Sequence, residues 1–378
     1  MTLTEGLRKK TVGIDKRDSS GFTAFMMRRT VLIAGSRTRS SLRDLLRWLP
    51  ALCVFTIVAG CRPGTERRVV VYTALDEMYS SPILEEFAQQ TGIEVLPVYD
   101  TEAAKTTGIV NRLIAERDRP RADVFWNNEV VQTIVLKEKG VIEPYISPLA
   151  AAIPDEFKDP DGYWTGFAAR GRVIIYNTEL VSDPPTSILD LCDRRWAGKA
   201  AIALPLFGTT ATHTAALFAA WGEQRAADFF KGLLANDVAV LPGNATVRDM
   251  VARGEYAIGL TDTDDANGAV EDGYPVQWLF PDQGPDGFGT LVIPNTVALI
   301  KNAPNPEAGR MLINYLLSPV VELKLARMRA IQIPLNPHVD APDNVPVLAE
   351  IKRMDVRFEA AAEHMERSVA FVQKEFVR

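Results

Sequence analysis

The chain has 378 residues, 42 Lys+Arg against 48 Asp+Glu, a net charge of −6 and a hydrophobic fraction of 47%. That length holds a leader and two domains of ordinary size. Residues 1–60 carry 11 Lys+Arg and 4 Asp+Glu, net +7, which leaves 31 against 44, net −13, on the remainder; an acidic body argues against nucleic acid and against an anionic membrane surface, since both are recognised by Lys and Arg.

The first element is a leader. Arg37, Arg39, Arg43 and Arg47 precede an apolar run over 49–60 that stops at Ala59-Gly60-Cys61. A charged segment, an apolar segment and small residues at the end make a secretory signal. The run is shorter than the ~20 residues that span a bilayer, so a membrane-spanning anchor is the weaker reading. Val58-Ala59-Gly60-Cys61 resembles the bacterial lipobox, in which the cysteine is acylated and becomes the first mature residue. Cys61 is therefore the expected lipidation site, in the periplasm or cell envelope. The depth of the signal implies a start at Met26 or Met27. With Cys53 removed and Cys61 acylated, Cys192 is alone; no intrachain disulfide is expected, and Cys192 reads as core filler.

Beyond the leader, strands alternate with helices. Residues 69–73, 93–98 and 122–126 are apolar, β-branched runs and predict strands. Between and after them, helices are predicted from Ser80-Ser81-Pro82 to Gly92, over 104–117, and over 129–139, closed by Gly140. A second series predicts strands at 172–177, 199–204, 238–241, 256–261 and 276–280. Its helices fall at 185–193, 209–221, 223–234, 247–253 and 263–272. Residues 291–300 return as extended chain, followed by helices at 305–317, 319–327 and 345–375. Alternation of this kind means α/β, with parallel βαβ units. Extended stretches near 166–172 and 288–298 suggest two lobes with the chain crossing between them twice. Ligands in such folds bind beyond the carboxyl ends of strands.

Four loops stand at those ends. Thr261-Asp262-Thr263-Asp264-Asp265 places three carboxylates within four residues, and their repulsion calls for a metal or an amine. Helix capping explains one or two of them. Gly208-Thr209-Thr210-Ala211 opens a helix with unpaired N–H groups that suit an anion. Arg170, in Ala169-Arg170-Gly171-Arg172, has the fork to grip an oxyanion, and a surface arginine is the alternative. Asp76-Glu77 and Asn127-Asn128-Glu129 follow the first and third strands and serve equally as ligands or N-caps. His213, His338 and His364 lack metal-ligand spacing, and no phosphate loop, dinucleotide fingerprint or nucleophile elbow occurs. A binding protein is therefore expected rather than an enzyme.

The phrases Thr91-Gly92-Ile93, Ala122-Asp123-Val124-Phe125 and Arg170-Gly171-Arg172-Val173-Ile174-Ile175-Tyr176-Asn177-Thr178 resemble the periplasmic solute-binding proteins of ABC importers, in the branch containing ferric-ion-binding proteins. The likeness covers roughly 69–337. It implies a two-lobed α/β fold, each lobe a mostly parallel sheet flanked by helices, with two hinge crossings. Lobe 1 would be 66–168 plus 292–340, lobe 2 would be 169–291, and 341–378 a C-terminal helical extension. By the same resemblance Asp76 matches a first-lobe metal ligand, and Asn128 or Glu129 a carboxylate position. Asp264-Asp265 stand where ferric-binding relatives carry a tyrosine pair, so the phenolates are lost. Arg170 and Gly208–Ala211 match the anion half. The implied solute is ferric iron or another hard cation on Asp76, Asp264 and Asp265, with phosphate or carbonate as synergistic anion. The alternative is a zwitterion such as 2-aminoethylphosphonate, its ammonium among the aspartates; a metal-dependent phosphoesterase is a third reading. The expected partners are a permease and its ATPase, with the chain a monomer on a lipid anchor and no catalytic cofactor.

Overall fold

The structure is a computed structural model that describes residues 67–100 and 106–377. The leader, the lipobox and Cys61 lie outside the described residues. So does the expected start of the helix at 104.

The first sheet is built on β1 (Arg68–Thr73), which pairs in parallel with β2 (Glu94–Tyr99) and β3 (Val124–Asn127). Val69 and Val71 alternate onto the face covered by α1 (Glu77–Thr91). That helix buries Tyr79, Ile83, Leu84 and Phe87 at helical spacing; full burial of each such side chain is worth roughly 1.5–3 kcal/mol. It begins three residues before the expected Ser80-Ser81 start. Ser80 lies inside the helix, its Oγ donating to Leu75 O and Asp76 O, and Asp76 holds the N-cap position. Gly92, at φ 67°, ends the helix in the left-handed turn that glycine tolerates. Next come α2 (Thr107–Ala115), α3 (Val131–Glu138) and the short β4 (Ile142–Glu143).

A single long strand, β5 (Thr165–Asn177), then leaves the first sheet and enters the second. The second sheet holds β6 (Ala200–Ala203), β7 (Ala239–Leu241), β8 (Ile258–Asp262) and β9 (Val276–Leu279). Its helices are α4 (Gly208–Trp221), α5 (Glu223–Ala235), α6 (Asn244–Ala252) and α7 (Thr263–Glu271). The chain returns on β10 (Val292–Ile300) to α8 (Pro306–Leu316) and α9 (Pro319–Arg327), and closes with α10 (Phe358–Phe376). Strand order is β2-β1-β3-β10-β5-β8-β6-β7, with β4 on β10 and β9 on β5. This is a two-lobed periplasmic-binding-protein fold with mixed sheets. The βαβ units pair in parallel, while β5 and β10, which carry the chain between the sheets, run antiparallel to their neighbours.

At the crossing a further extended segment joins in: Ala169 and Ile333 exchange two 2.7 Å backbone hydrogen bonds. Glu322 of α9, fully buried, accepts N–H bonds from Ala168, Leu335 and Asn336 at 2.8, 2.9 and 3.0 Å. Ala168 has φ 42°, a conformation costly for a residue with a Cβ; the carboxylate and the Asn295 amide, which donates to Ala168 O, hold it there.

Two helices are shorter than their periodicity suggests. Residues 185–193 give one short 3-10 helix, Ile188–Cys192, opened by a Ser187–Asp190 capping box. Of 345–375 only α10 is a long helix. Ahead of it the chain is pulled straight by Thr290, whose N–H bonds Lys352 O and whose O accepts from Met354 N–H. Cys192 is half-buried, its Sγ 3.7 Å from Phe229 O. No helix among the described residues is long and apolar enough to cross a membrane.

Candidate functional site

Strand ends from both sheets meet around one small cavity. Asp76 and Asn128 reach it from the first sheet, and Gly208, Thr209, Thr210, Asp262, Asp264 and Asp265 from the second; Arg170 reaches it from β5. Its volume is about 40 Å³. A single water needs roughly 10–15 Å³ measured this way, so the space suits an ion with a few small oxygen ligands.

Each side chain is placed by local structure. Asp76 occupies the N-cap position of α1 yet makes no capping bond with its carboxylate, which lines the cavity. Arg170 and Arg172, two apart on β5, share a face. Arg170 is 2% exposed; its Nη1 lies 3.2 Å from Asp264 Oδ2, and its Nη2 3.5 Å from Asn295 Oδ1. Burial pushes this guanidinium's pKa down, but Asp264, Asp262, Asp76 and Asp265 together outweigh burial and hold it above the ordinary value. Four carboxylates thus act on one buried cation.

Asp262 ends β8 opposite Arg172. It stands at the N-cap of α7 and makes no capping bond. Instead Arg172 Nη1 lies 2.6 Å from Oδ1, and Thr209 Oγ1 and Asn244 Nδ2 donate to Oδ2 at 2.5 and 2.9 Å. Asn244 Oδ1 also accepts from Arg172 Nη1 and Thr210 Oγ1, each at 3.2 Å. This network fixes the first turn of α4 beside the cavity. Gly208 opens that helix at φ 52°, where a side chain would strain the backbone. Asp264 and Asp265 follow in the first turn of α7. Asp265 also faces Arg248, Nη1 to Oδ1 3.9 Å. One carboxylate oxygen each from Asp262, Asp264 and Asp265 lies within 4.8 Å of the others. Oxygen donors of this kind suit hard cations. The metal set expected from sequence is Asp76, Asp264 and Asp265; the close group has Asp262 in place of Asp76, which stands on the opposite sheet.

Two expected site residues lie outside the cavity lining. Glu129 is fully buried behind it. Its carboxylate accepts from Val131 N, Gln132 N, Asn127 Nδ2 and, at 2.6 Å, Thr212 Oγ1. Burial pushes its carboxyl above the usual range against those four donors. Its carboxylate is engaged with the start of α3 and with α4, behind the cavity lining. Ala211 gives its N–H to Phe207 O at 3.2 Å, so that amide is spent inside α4, and Gly208–Thr210 line the cavity. Asn128 lines it too, its Oδ1 taking a 2.9 Å bond from Thr106 Oγ1.

Residue-by-residue reading missed Arg172, Asn244 and Tyr79. Asn244 opens α6 just after β7, and its place in a loop after a strand is its signal in the sequence. Arg172 was in view, but its pairing with Asp262 depends on the β5/β8 register. Tyr79 is buried on α1; burial, then Asp264, Asp265 and Asp76, push its phenol up to about 12. His213 is buried with its imidazole held well below its ordinary value by burial and by Arg172, consistent with a neutral core histidine.

Comparison with known proteins bears on the family and the fold. "Iron uptake protein A1" of Synechocystis sp. is 28% identical over 278 residues, 70% of this chain and 75% of that protein. A candidate 2-aminoethylphosphonate-binding periplasmic protein of Salmonella typhimurium is 26% identical over 290 residues, 74% of this chain and 82% of that protein. Iron-bound HitA of Pseudomonas aeruginosa superposes with a TM-score of 0.74 at 21% identity, over 82% of this chain and 99% of HitA; at that identity the likeness speaks for the fold. The family model of bacterial extracellular solute-binding proteins matches residues 122–363, most of the described chain, and this protein belongs to that family.

Proposed function

We propose that the chain captures ferric iron, or another hard cation, with a synergistic anion in the cleft between its lobes and hands it to a membrane permease whose partner ATPase drives import. The observation that carries this reading is the convergence of four aspartates on one buried arginine at the mouth of α4. Asp264 and Asp265, with Asp76 from the other sheet, would hold the cation. Arg170 and the Gly208–Thr210 end of α4 would hold phosphate or carbonate, where a helix N-terminus favours negative charge. The relatives named for iron uptake support the solute class. The lobes would run from 66 to 168 plus 292 to 340, and from 169 to 291. Solute touching both would hold the closed form. Membership in a family of solute-binding proteins favours capture of a solute over turnover of a phosphoester.

One contact favours a second reading. Asp264 and Arg170 already pair at 3.2 Å, so the site offers a negative and a positive group side by side. A zwitterion such as 2-aminoethylphosphonate would bridge them, ammonium on the aspartates and phosphonate on Arg170. Thermal unfolding of the metal-stripped protein separates the two. Ligand at 100 times its dissociation constant adds about 2.7 kcal/mol. A raised midpoint with ferric iron plus phosphate, and none with the phosphonate, is expected; the reverse pattern would make the aspartates an ammonium site.

The lipid anchor at Cys61 is part of the same proposal. Cys61→Ser is expected to move the protein from the membrane fraction to the soluble fraction of the envelope, read by fractionation and immunoblot. Unchanged membrane association would remove the lipoprotein assignment.

A further inference from the structure

The C-terminal helix has no part in the site, yet it touches helices of both sheets. α10 buries Phe358, Ala361, Ala362, Met365, Ser368 and Val372 along one face and packs on α3, which follows β3, and on α4, which follows β6. At its start, Phe358 stacks on Phe157 with centroids 6.2 Å apart, and Arg353 just upstream pairs with Glu156 at 3.0 Å. Toward its end, Phe371 meets Phe218 of α4 at 5.5 Å, and Phe376 meets Phe230 of α5 at 6.0 Å. Under the helix, α3 and α4 bring their N-terminal turns together at the cavity. There the Thr212 hydroxyl of α4 donates to the Glu129 carboxylate ahead of α3 at 2.6 Å, both side chains fully buried. The apolar cluster along this side runs unbroken from Val131 and Ile134 of α3 through Ala215 and Phe218 of α4 to Met365 of α10.

Opening the cleft by moving α3 away from α4 would expose that apolar surface to water, which is unfavourable in proportion to the area uncovered. It would also leave the Glu129 carboxylate without its hydroxyl partner. We propose that α10 is a clasp: it holds α3 and α4 together whatever the cleft contains, so the solute-free protein rests closed and opens only when α10 is prised from one of them. A binding-competent open form that is scarcely populated lowers apparent affinity and slows both entry and exit. The clasp would therefore trade speed of capture for retention.

The test uses the full chain without solute, so its outcome is independent of the iron reading. Spin labels go on Arg119→Cys after α2 and Lys231→Cys on α5, both exposed positions, in a background with Cys53, Cys61 and Cys192 replaced by serine. Pulsed electron resonance then gives the distance between the two lobes. Wild-type α10 is expected to give one short, narrow distribution. Phe371→Ala, which loosens the α4 end, and Arg353→Ala with Phe358→Ala, which loosens the other, are each expected to add a longer, broader population. Cooperative melting of each variant confirms that it folds, and because the variants cut opposite ends, loss of one leaves the other. A long, broad distribution in the solute-free wild type overturns the clasp by itself. So does a narrow wild-type distance kept by every folded variant.

Discussion

Replacing Asp264 by alanine is expected to weaken solute binding by about 2–5 kcal/mol, the usual cost of removing one partner of a desolvated charged contact. That is a loss of roughly thirtyfold to several thousandfold in affinity. Asp264 is the aspartate that both readings place on the positive part of the solute, and it is also the partner of Arg170 at 3.2 Å. Its removal deletes a ligand and leaves a buried guanidinium short of its nearest counter-charge. Isothermal titration with whichever compound raises the melting midpoint would measure the loss. An affinity within twofold of the parent would take Asp264 out of the site. Arg170→Ala should cost a similar amount, and its effect on iron should carry a signature: binding should no longer depend on added phosphate, because the group proposed to grip the anion is gone.

The largest effect on stability is expected at Asp262. Arg172 is fully buried, and its close ionic partner among the described residues is Asp262 at 2.6 Å. Removing one member of a buried pair strands the other charge in a medium that solvates it poorly, at about 3–5 kcal/mol. Asp262→Ala also strips the acceptor shared by Thr209 and Asn244. The melting midpoint of the solute-free protein should fall on the order of 10 °C, measured by scanning calorimetry. Asp265→Ala, next to the half-exposed Arg248 pair at 3.9 Å, should fall far less. Equal losses at the two positions would mean that Asp262 has no special structural duty and is available to the solute.

These two residues show how far sequence carries. The triplet Asp262, Asp264 and Asp265 was legible because three like charges after an apolar strand need an explanation. Which acid does what was not, because their roles are set by partners distant in sequence. Asp262 is claimed by Arg172 through strand register, and Asp264 in the first turn of α7 by Arg170. Glu129 looked like a ligand for the same reason Asp76 did, a carboxylate after a strand. Thr212, eighty-three positions away, turns it inward, and no local pattern announces that. The alternation of strands and helices gave the α/β class directly. The antiparallel runs of β5 and β10 were visible only as extended chain, since periodicity tells direction of neither strand. Residues 345–357 read as helical by composition and were straightened by Thr290, a contact set by tertiary packing.

The length of β5 has a consequence for how this protein comes apart. Its first part, Thr165 to Gly171, pairs with β10 and its second, Arg172 to Asn177, with β8 and β9, and the two arginines of the site flank that changeover. The two shares are continuous, so fraying of either runs toward the arginines where they meet. The halves are thus coupled in folding, although they are built to move in function. A chain of two lobes joined by a loose linker could lose one and keep the other; here disorder that begins in either lobe passes through the site itself. Loss of native structure and loss of binding should then be the same event.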